Sequence, residues 1–486
     1  MMAAASAGSY PKAMHSIAPA VTLALFASAS CSAAAPDRPP VRPNVLVVLP
    51  DQWRAQAFGF AGDPNVQTPH LDRFARASLL CVNAVAGMPV CCPSRASLLT
   101  GQRPLTHGVF MNDVPLDPRA VTLAKVLGAA GYDTAYIGKW HLNGGDRTGF
   151  IPPAGRQGFA YWRAVGCTHD YNHSVYYADG PEPRCWPGYD AIAQTEDAVR
   201  YLRDHAAVAK PFLLFLAWGP PHSSRERAPA DYRARYDPEK LILRANVPAP
   251  AGEAARRALA DYYAHCTALD DCFGMLWSAL QDAGLDANTL LVFTSDHGDL
   301  LGSQGAQAKQ QPYDESIRIP LLLHWPAGLD SAPRRPEVPI QLEDLMPTIL
   351  SLCRVPVPAS AEGTDFGDYL RGGRDPSDGA ALISCVAPFG EWPRQRGGRE
   401  YRGVRTARYT FVRDLQGPWL LFDNVDDPYQ RTNLVGRPEC ASLQAELAAT
   451  LARRLAAAHD EFLPGIAYLQ RWQYAVDASG TVPYRD

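Results

Sequence analysis

Asn44-Val45-Leu46-Val47-Val48-Leu49-Pro50-Asp51-Gln52 reads NVLVVLPDQ. A strand with one wet face alternates apolar and polar residues, whereas this run is apolar throughout, as in a strand buried on both faces. It ends abruptly in a proline, an acid and an amide. The same design recurs at residues 289–294 (TLLVFT), which lead through Ser295 into Asp296-His297-Gly298-Asp299. Further strands are expected at 134–137, 211–218 and 319–324. Helical periodicity lies between them, at 71–77, 123–130, 191–205 and 254–283. Strands alternating with helices predict an α/β fold: a large mixed, mostly parallel sheet sandwiched by helices.

Ligands of open α/β sheets bind beyond the carboxyl ends of the strands. If the first strand and the 289–294 strand are parallel neighbours, Asp51 and Asp296 converge. Two carboxylates with an amide oxygen and an imidazole nearby suit a divalent cation. Taken alone, each acid is equally well a turn or helix-capping residue.

The stretch Cys91-Cys92-Pro93-Ser94-Arg95-Ala96-Ser97-Leu98-Leu99-Thr100-Gly101 opens a second line of argument. Pro93 suits the first position of a helix and Gly101 its stop. That register puts Cys92 near the N-cap and Cys91 just outside, where a helix N-terminus lowers a thiol's pKa. A cysteine-dependent phosphatase loop places five residues between its Cys and Arg, but only three separate Cys91 from Arg95. An isolated cysteine is also commonly plain core.

Cys91-Cys92-Pro93-Ser94-Arg95 with Leu99-Thr100-Gly101 resembles the type I, formylglycine-dependent sulfatase signature C-x-P-S-R with its trailing L-T-G. Four further motifs carry the resemblance in the same order. They are Asn44 to Gln52, Gly138-Lys139-Trp140-His141, Pro220-Pro221-His222, and Ser295-Asp296-His297-Gly298 with Lys309 to Pro320. The tail around Leu421-Phe422-Asp423 and Asp427-Pro428 is similar to the family's C-terminal segment. The resemblance implies an alkaline phosphatase-like fold with a smaller C-terminal α+β subdomain holding a short antiparallel sheet. It also implies hydrolysis of a sulfate monoester, on a carbohydrate. The related phosphonate monoester hydrolases and phosphodiesterases are the alternative, since Asp51-Gln52-Trp53-Arg54 also resembles their first strand end. A non-enzymatic carbohydrate-binding member is the other class, and the intact motif set argues against it.

The family pattern assigns roles. Cys91 maps to the cysteine that a separate maturase converts to formylglycine, and Cys92 to the variable position. The hydrated aldehyde carries two hydroxyls. One attacks sulfur and gives a covalent sulfo-enzyme intermediate; the other, once deprotonated, expels sulfate. Asp51, Gln52, Asp296 and His297, together with residue 91, are implied ligands of one divalent metal, Ca2+. Gln52 and His297 stand where the family often has Asp and Asn, which reduces the anionic ligands to two. Arg95 and Lys139 are implied contacts of the formylglycine hydroxyls, and His141 the base for sulfate release. His222 is the implied acid for the leaving alcohol, with Lys309 binding sulfate. From its polar and aromatic composition, the segment 167–173 is a candidate sugar subsite through His169 and His173. Trp392 is a further candidate for closing the pocket.

Composition sets the frame. The chain has 486 residues, 47% hydrophobic, with net charge -4 and no basic blocks, which argues against a nucleic-acid partner. Residues 1–35 hold one charge, Lys12, and an apolar run followed by small residues, as in an export signal. Cys31 within it is a candidate lipid-attachment site. An exported protein, periplasmic or outer-surface in a bacterium, is expected. Residues 36–43 read as a linker. Residues 36–375 are expected to form the catalytic domain and 376–486 the C-terminal subdomain, with antiparallel strands over 401–412 and 419–422 and a closing helix over 444–462. Export permits disulfides, and Cys167 and Cys185 are placed to close a loop.

Overall fold

The computed structural model describes residues 42–222, 227–329 and 334–485. The expected export signal, the candidate Cys31 site and most of the expected 36–43 linker lie outside the described residues.

A seven-stranded sheet forms the centre. Its strands are β1 (Asn44–Val48), β2 (Leu79–Leu80), β3 (Asp133–Lys139), β4 (Tyr161–Val165), β5 (Phe212–Ala217), β6 (Thr289–Thr294) and β7 (Leu321–His324). They lie in the order β2-β7-β6-β1-β5-β3-β4. β1 pairs parallel with β5 and β6, and β3 pairs parallel with β5 and β4. Only β7 and β2, at one edge, join antiparallel. The sheet is thus mixed and mostly parallel, as the buried runs predict.

The unbroken apolar pattern of β1 has a direct cause. Val45 and Val47 share one core with Leu99 of helix α2 (Cys91–Thr100), Leu123 of α3 (Leu123–Ala129) and Ile349 of α6 (Leu342–Leu352). Leu46 and Val48 share the opposite core with Phe74 of α1 (Pro69–Arg76), Leu202 of α4 (Asp190–His205) and Phe273 of α5 (Gly252–Asp282). Each such residue contributes about 1.5–3 kcal/mol by leaving water, so both faces of the strand must be apolar.

A four-stranded antiparallel sheet follows: β8 (Ala380–Cys385), β9 (Tyr401–Thr406), β10 (Tyr409–Asp414) and β11 (Gly417–Asp423). Ile383, Tyr401, Val412 and Phe422 share a core with Val85 and Ile317 of the α/β body. Leu382, Val404, Phe411 and Leu421 are covered instead by Leu447 and Leu451 of α7 (Ala441–Ala457).

Three expectations need correction. Helix α2 begins at Cys91, with Val90 as N-cap, so Pro93 is its third residue rather than its first. The first helical turn has no internal partners for its N–H groups, so proline is tolerated there. Gly101 stops the helix at φ 66, as expected. The closing helix expected over 444–462 runs Ala441–Ala457 and ends early, because the chain turns to pair Asp460 with the buried Arg402; a further helix, α8 (Gly465–Trp472), starts after Pro464. Cys167 is buried, Cys185 is exposed, and both are free thiols.

Candidate active site

Four adjacent parallel strands deliver the motif residues to one sheet edge. β1 runs into Asp51 and Gln52, β6 into Asp296 and His297, β5 towards His222, and β3 ends at Lys139 just before His141. The register Val48 opposite Phe293 brings the ends of β1 and β6 level. Asp51 N–H donates to the Trp218 carbonyl at 3.1 Å, which ties β1 to the end of β5. Helix α2 points its N-terminus at the same place, with Cys91 as its first residue.

At the centre, Asp51, Cys91, Asp296 and His297 each present a ligand atom, all within 4.8 Å of one another. Cys91 Sγ lies 3.2 Å from His297 Nε2 and 3.7 Å from Asp51 Oδ1. The His297 Nε2 to Asp296 Oδ1 distance is 3.7 Å. His297 Nδ1 lies 2.9 Å from the Gly298 carbonyl, which only an Nδ1–H satisfies. Its Nε2 therefore turns a lone pair towards two carboxylates. Buried acceptors crowd together in this way around a cation, so the donor set fits a divalent metal. Gln52 sits beside the cluster with φ 68. Its Nε2 donates to Asp299 at 2.6 Å, and its Oε1 accepts from Lys309 at 2.7 Å. Asp299 thus orients the amide so that oxygen, not nitrogen, faces the site.

Cations surround this group. Arg95 contacts Asp51 at 2.9 Å and Asp296 at 3.0 Å, and Lys139 Nζ lies 2.8 Å from Asp51. Burial opposes ionisation of Asp51, but the charges of Lys139 and Arg95 outweigh it and hold the carboxyl well below its usual range. Asp296 moves the other way, raised by burial and by the charge on Asp51. Burial, with Asp51 beside it, pushes the Cys91 thiol far above the ordinary cysteine range. Without a metal cation beside it, desolvation outweighs the helix dipole at this thiol, which does not favour the helix-activated reading.

Lys309 Nζ donates to His222 Nε2 at 2.7 Å, and burial together with Lys309 keeps that imidazole neutral. His169 stacks on His222 with ring centroids 4.5 Å apart. A cavity of about 270 Å³ opens above these groups, lined by Cys91, His141, His169, His222 and Lys309, with Asn112, Glu391, Thr481 and Tyr484 among the outer residues. Two expected contributors are elsewhere. His173 has a side chain 78% exposed and pairs with Asp170 at 3.4 Å at the surface. Trp392 is buried against Trp419 and Tyr401; its neighbour Glu391 lines the cavity instead, 3.5 Å from Lys309.

Cys92 is more than a neighbour of Cys91. Its thiol lies 2.8 Å from the His141 carbonyl, and the Asp113 N–H donates to its sulfur at 3.4 Å. Asp113 and Arg147 at this wall, and Tyr484 and Glu391 at the mouth, escaped the sequence reading. Asp299 alone carried a signal, as the last residue of Ser295-Asp296-His297-Gly298-Asp299.

Comparison with known proteins points to one family. The family model described as Sulfatase matches residues 43–355, and the one described as N-sulphoglucosamine sulphohydrolase, C-terminal, matches 302–457. The chain is 42% identical to an ulvan-active sulfatase of Formosa agariphila, over 92% of this chain and 87% of that protein. It is 30% identical to an endo-4-O-sulfatase of Bacteroides thetaiotaomicron, over 85% and 92%. The crystal structure of a putative sulfatase from Bacteroides fragilis superposes with a TM-score of 0.79 at 28% identity, covering 88% of this chain and 98% of that one.

Proposed function

The chain belongs to the sulfatase family, and from that premise we propose that it cleaves a sulfate monoester carried on a carbohydrate, with Cys91 in its formylglycine form. The observation that carries this reading is the Asp51, Cys91, Asp296 and His297 cluster with Arg95, Lys139 and Lys309 around it. Such a set stabilises an anionic ester in a water-poor site. The aldehyde hydrate at residue 91 supplies the nucleophile that the high-pKa thiol does not.

Asp51, Gln52, Asp296, His297 and residue 91 would hold one cation, Ca2+ by the predominance of oxygen donors, and a cation there lowers the pKa of a hydroxyl on residue 91 and neutralises a sulfate oxygen. Arg95 and Lys139 are fixed on Asp51 and hold their charge next to residue 91. His141 takes a proton during sulfate release. His222 protonates the departing alcohol, and Lys309, which donates to it across 2.7 Å, binds sulfate and assists by replacing that proton.

The carbohydrate assignment is supported by the cavity wall, where Asn112, His169, Thr481 and Tyr484 offer hydrogen bonds and ring faces, and by relatives named ulvan-active sulfatase and endo-4-O-sulfatase. Residues 376–486 then form a subdomain that adds Glu391, Thr481 and Tyr484 to a cavity built on residues 36–375. Residues 1–35 serve export in this reading, which favours a soluble exported protein over the alternative of a lipid anchor at Cys31. Cys91 is only 1% exposed, so the maturase meets it before the chain folds.

A panel of sulfated mono- and oligosaccharides, an aryl sulfate and a phosphodiester tests reaction and substrate together. Sulfated saccharides should give the highest kcat/KM. A phosphodiester preference of about a hundredfold or more would favour the phosphonate hydrolase alternative and contradict the reading.

A further inference from the structure

His141 Nδ1 is buried and has no hydrogen-bond partner among the described residues. Its other nitrogen, Nε2, lies 3.3 Å from Asp113 Oδ1. A carboxylate can only accept, so the proton of a neutral His141 ring belongs on Nε2 and the lone pair on Nδ1. Arg147 grips the same carboxylate with two bonds, Nε to Oδ1 at 2.9 Å and Nη2 to Oδ2 at 2.8 Å. The Arg147 guanidinium in turn lies 3.2 Å from the centre of the Tyr484 ring.

Tyr484 belongs to a C-terminal strap pinned by backbone bonds. Arg485 N–H donates to the Gly145 carbonyl at 2.6 Å, and Arg147 N–H donates to the Arg485 carbonyl at 3.0 Å. Asp113 and His141 both adopt left-handed backbone, at φ 63 and φ 55. Such a conformation is costly for residues other than glycine and persists where the surroundings enforce it. Here the Cys92 thiol bridges the Asp113 N–H and the His141 carbonyl.

We infer that Asp113, braced by Arg147 and by Tyr484 of the C-terminal strap, is a positioning residue that fixes His141 with Nε2 protonated and Nδ1 as its proton-accepting atom. The inference rests on the reading of His141 as the base. It adds a residue nearly 30 positions away from that base, and a tail segment nearly 350 away, to the machinery of the reaction. The same contacts, with burial, leave both partners in the states required. Burial keeps His141 below the ordinary histidine range, and His141 with Arg147 outweighs burial at Asp113, whose carboxyl sits at about 2.

The test uses the metal-loaded, matured enzyme labelled with 15N-histidine. In wild type, the ring signals that disappear in His141→Gln should be those of the Nε2–H tautomer. In Asp113→Asn they should move towards the Nδ1–H form, and kcat should fall about 100-fold or more with KM held within about threefold. Tyr484→Ala should lose part of kcat, and Tyr484→Phe, which keeps the ring under Arg147, should recover most of that loss. Should Asp113→Asn fail to fold, the wild-type tautomer and the Tyr484 pair still decide. A wild-type Nδ1–H tautomer, or Asp113→Asn with wild-type kcat, overturns the inference. If His141→Gln itself keeps wild-type kcat, the base assignment fails instead, while the tautomer still reports on Asp113.

Discussion

Cys91 and Cys92 stand side by side and are held for different purposes. Cys91 faces His297 and Asp51, and its thiol is too costly to ionise there. This environment is in keeping with the proposed conversion of Cys91 to an aldehyde. Cys92 points away, into the backbone of His141 and Asp113. The sequence alone suggests that Cys92→Ala keeps activity. The structure revises this to a partial loss, since removing two hydrogen bonds of about 0.5–1.5 kcal/mol each loosens two left-handed residues. Activity of Cys92→Ala should fall roughly five- to tenfold, measured as kcat/KM on the best substrate. Wild-type activity would mean that the bridge holds nothing in place.

At the scale of elements, strands were the most legible part of the chain. An apolar run buried on both faces has few other readings, and β1 and β6 end where their acids begin. Their convergence followed from one assumption, parallel adjacency, which the register bears out. Helix ends were less legible. Pro93 is compatible with several first-turn positions, and the gap between α7 and α8 depends on Arg402, more than 50 residues away from Asp460.

Helix α6 hides a titratable group of the same kind. Burial and the neighbouring Asp344 push Glu343 up to about 7. An unfolded glutamate titrates at about 4.3, so between that pH and about 7 the folded chain keeps a proton that the unfolded chain has released. This contribution to stability is complete below about pH 4.5 and is lost as pH rises through about 7. Glu343→Gln should raise the thermal midpoint at pH 8, by an amount equivalent to roughly 1–3 kcal/mol, and leave it near wild type at pH 4. An equal offset at both values would show that Glu343 does not titrate as described.

For the molecule as a whole, the site divides by where its information lies. The metal cluster and its cations sit on strand ends and within compact motifs, so Asp51, Arg95, Lys139, Asp296 and His297 were readable together. The cavity wall draws on residues 112, 147, 391, 481 and 484, which have no common spacing and meet only through packing of the C-terminal segment. His169 reached the wall because it stacks on His222, whereas His173, four residues on, turned to solvent. Periodicity does not distinguish two histidines in an irregular loop. In the proposed function, residue 91 works as an aldehyde and residue 92 as a thiol. Peptide mass spectrometry of the active enzyme, produced with a maturase, tests it most directly. The account predicts formylglycine at Cys91, an unmodified Cys92, and sulfatase activity proportional to the converted fraction; full activity with Cys91 still a thiol, or conversion at Cys92, would contradict it.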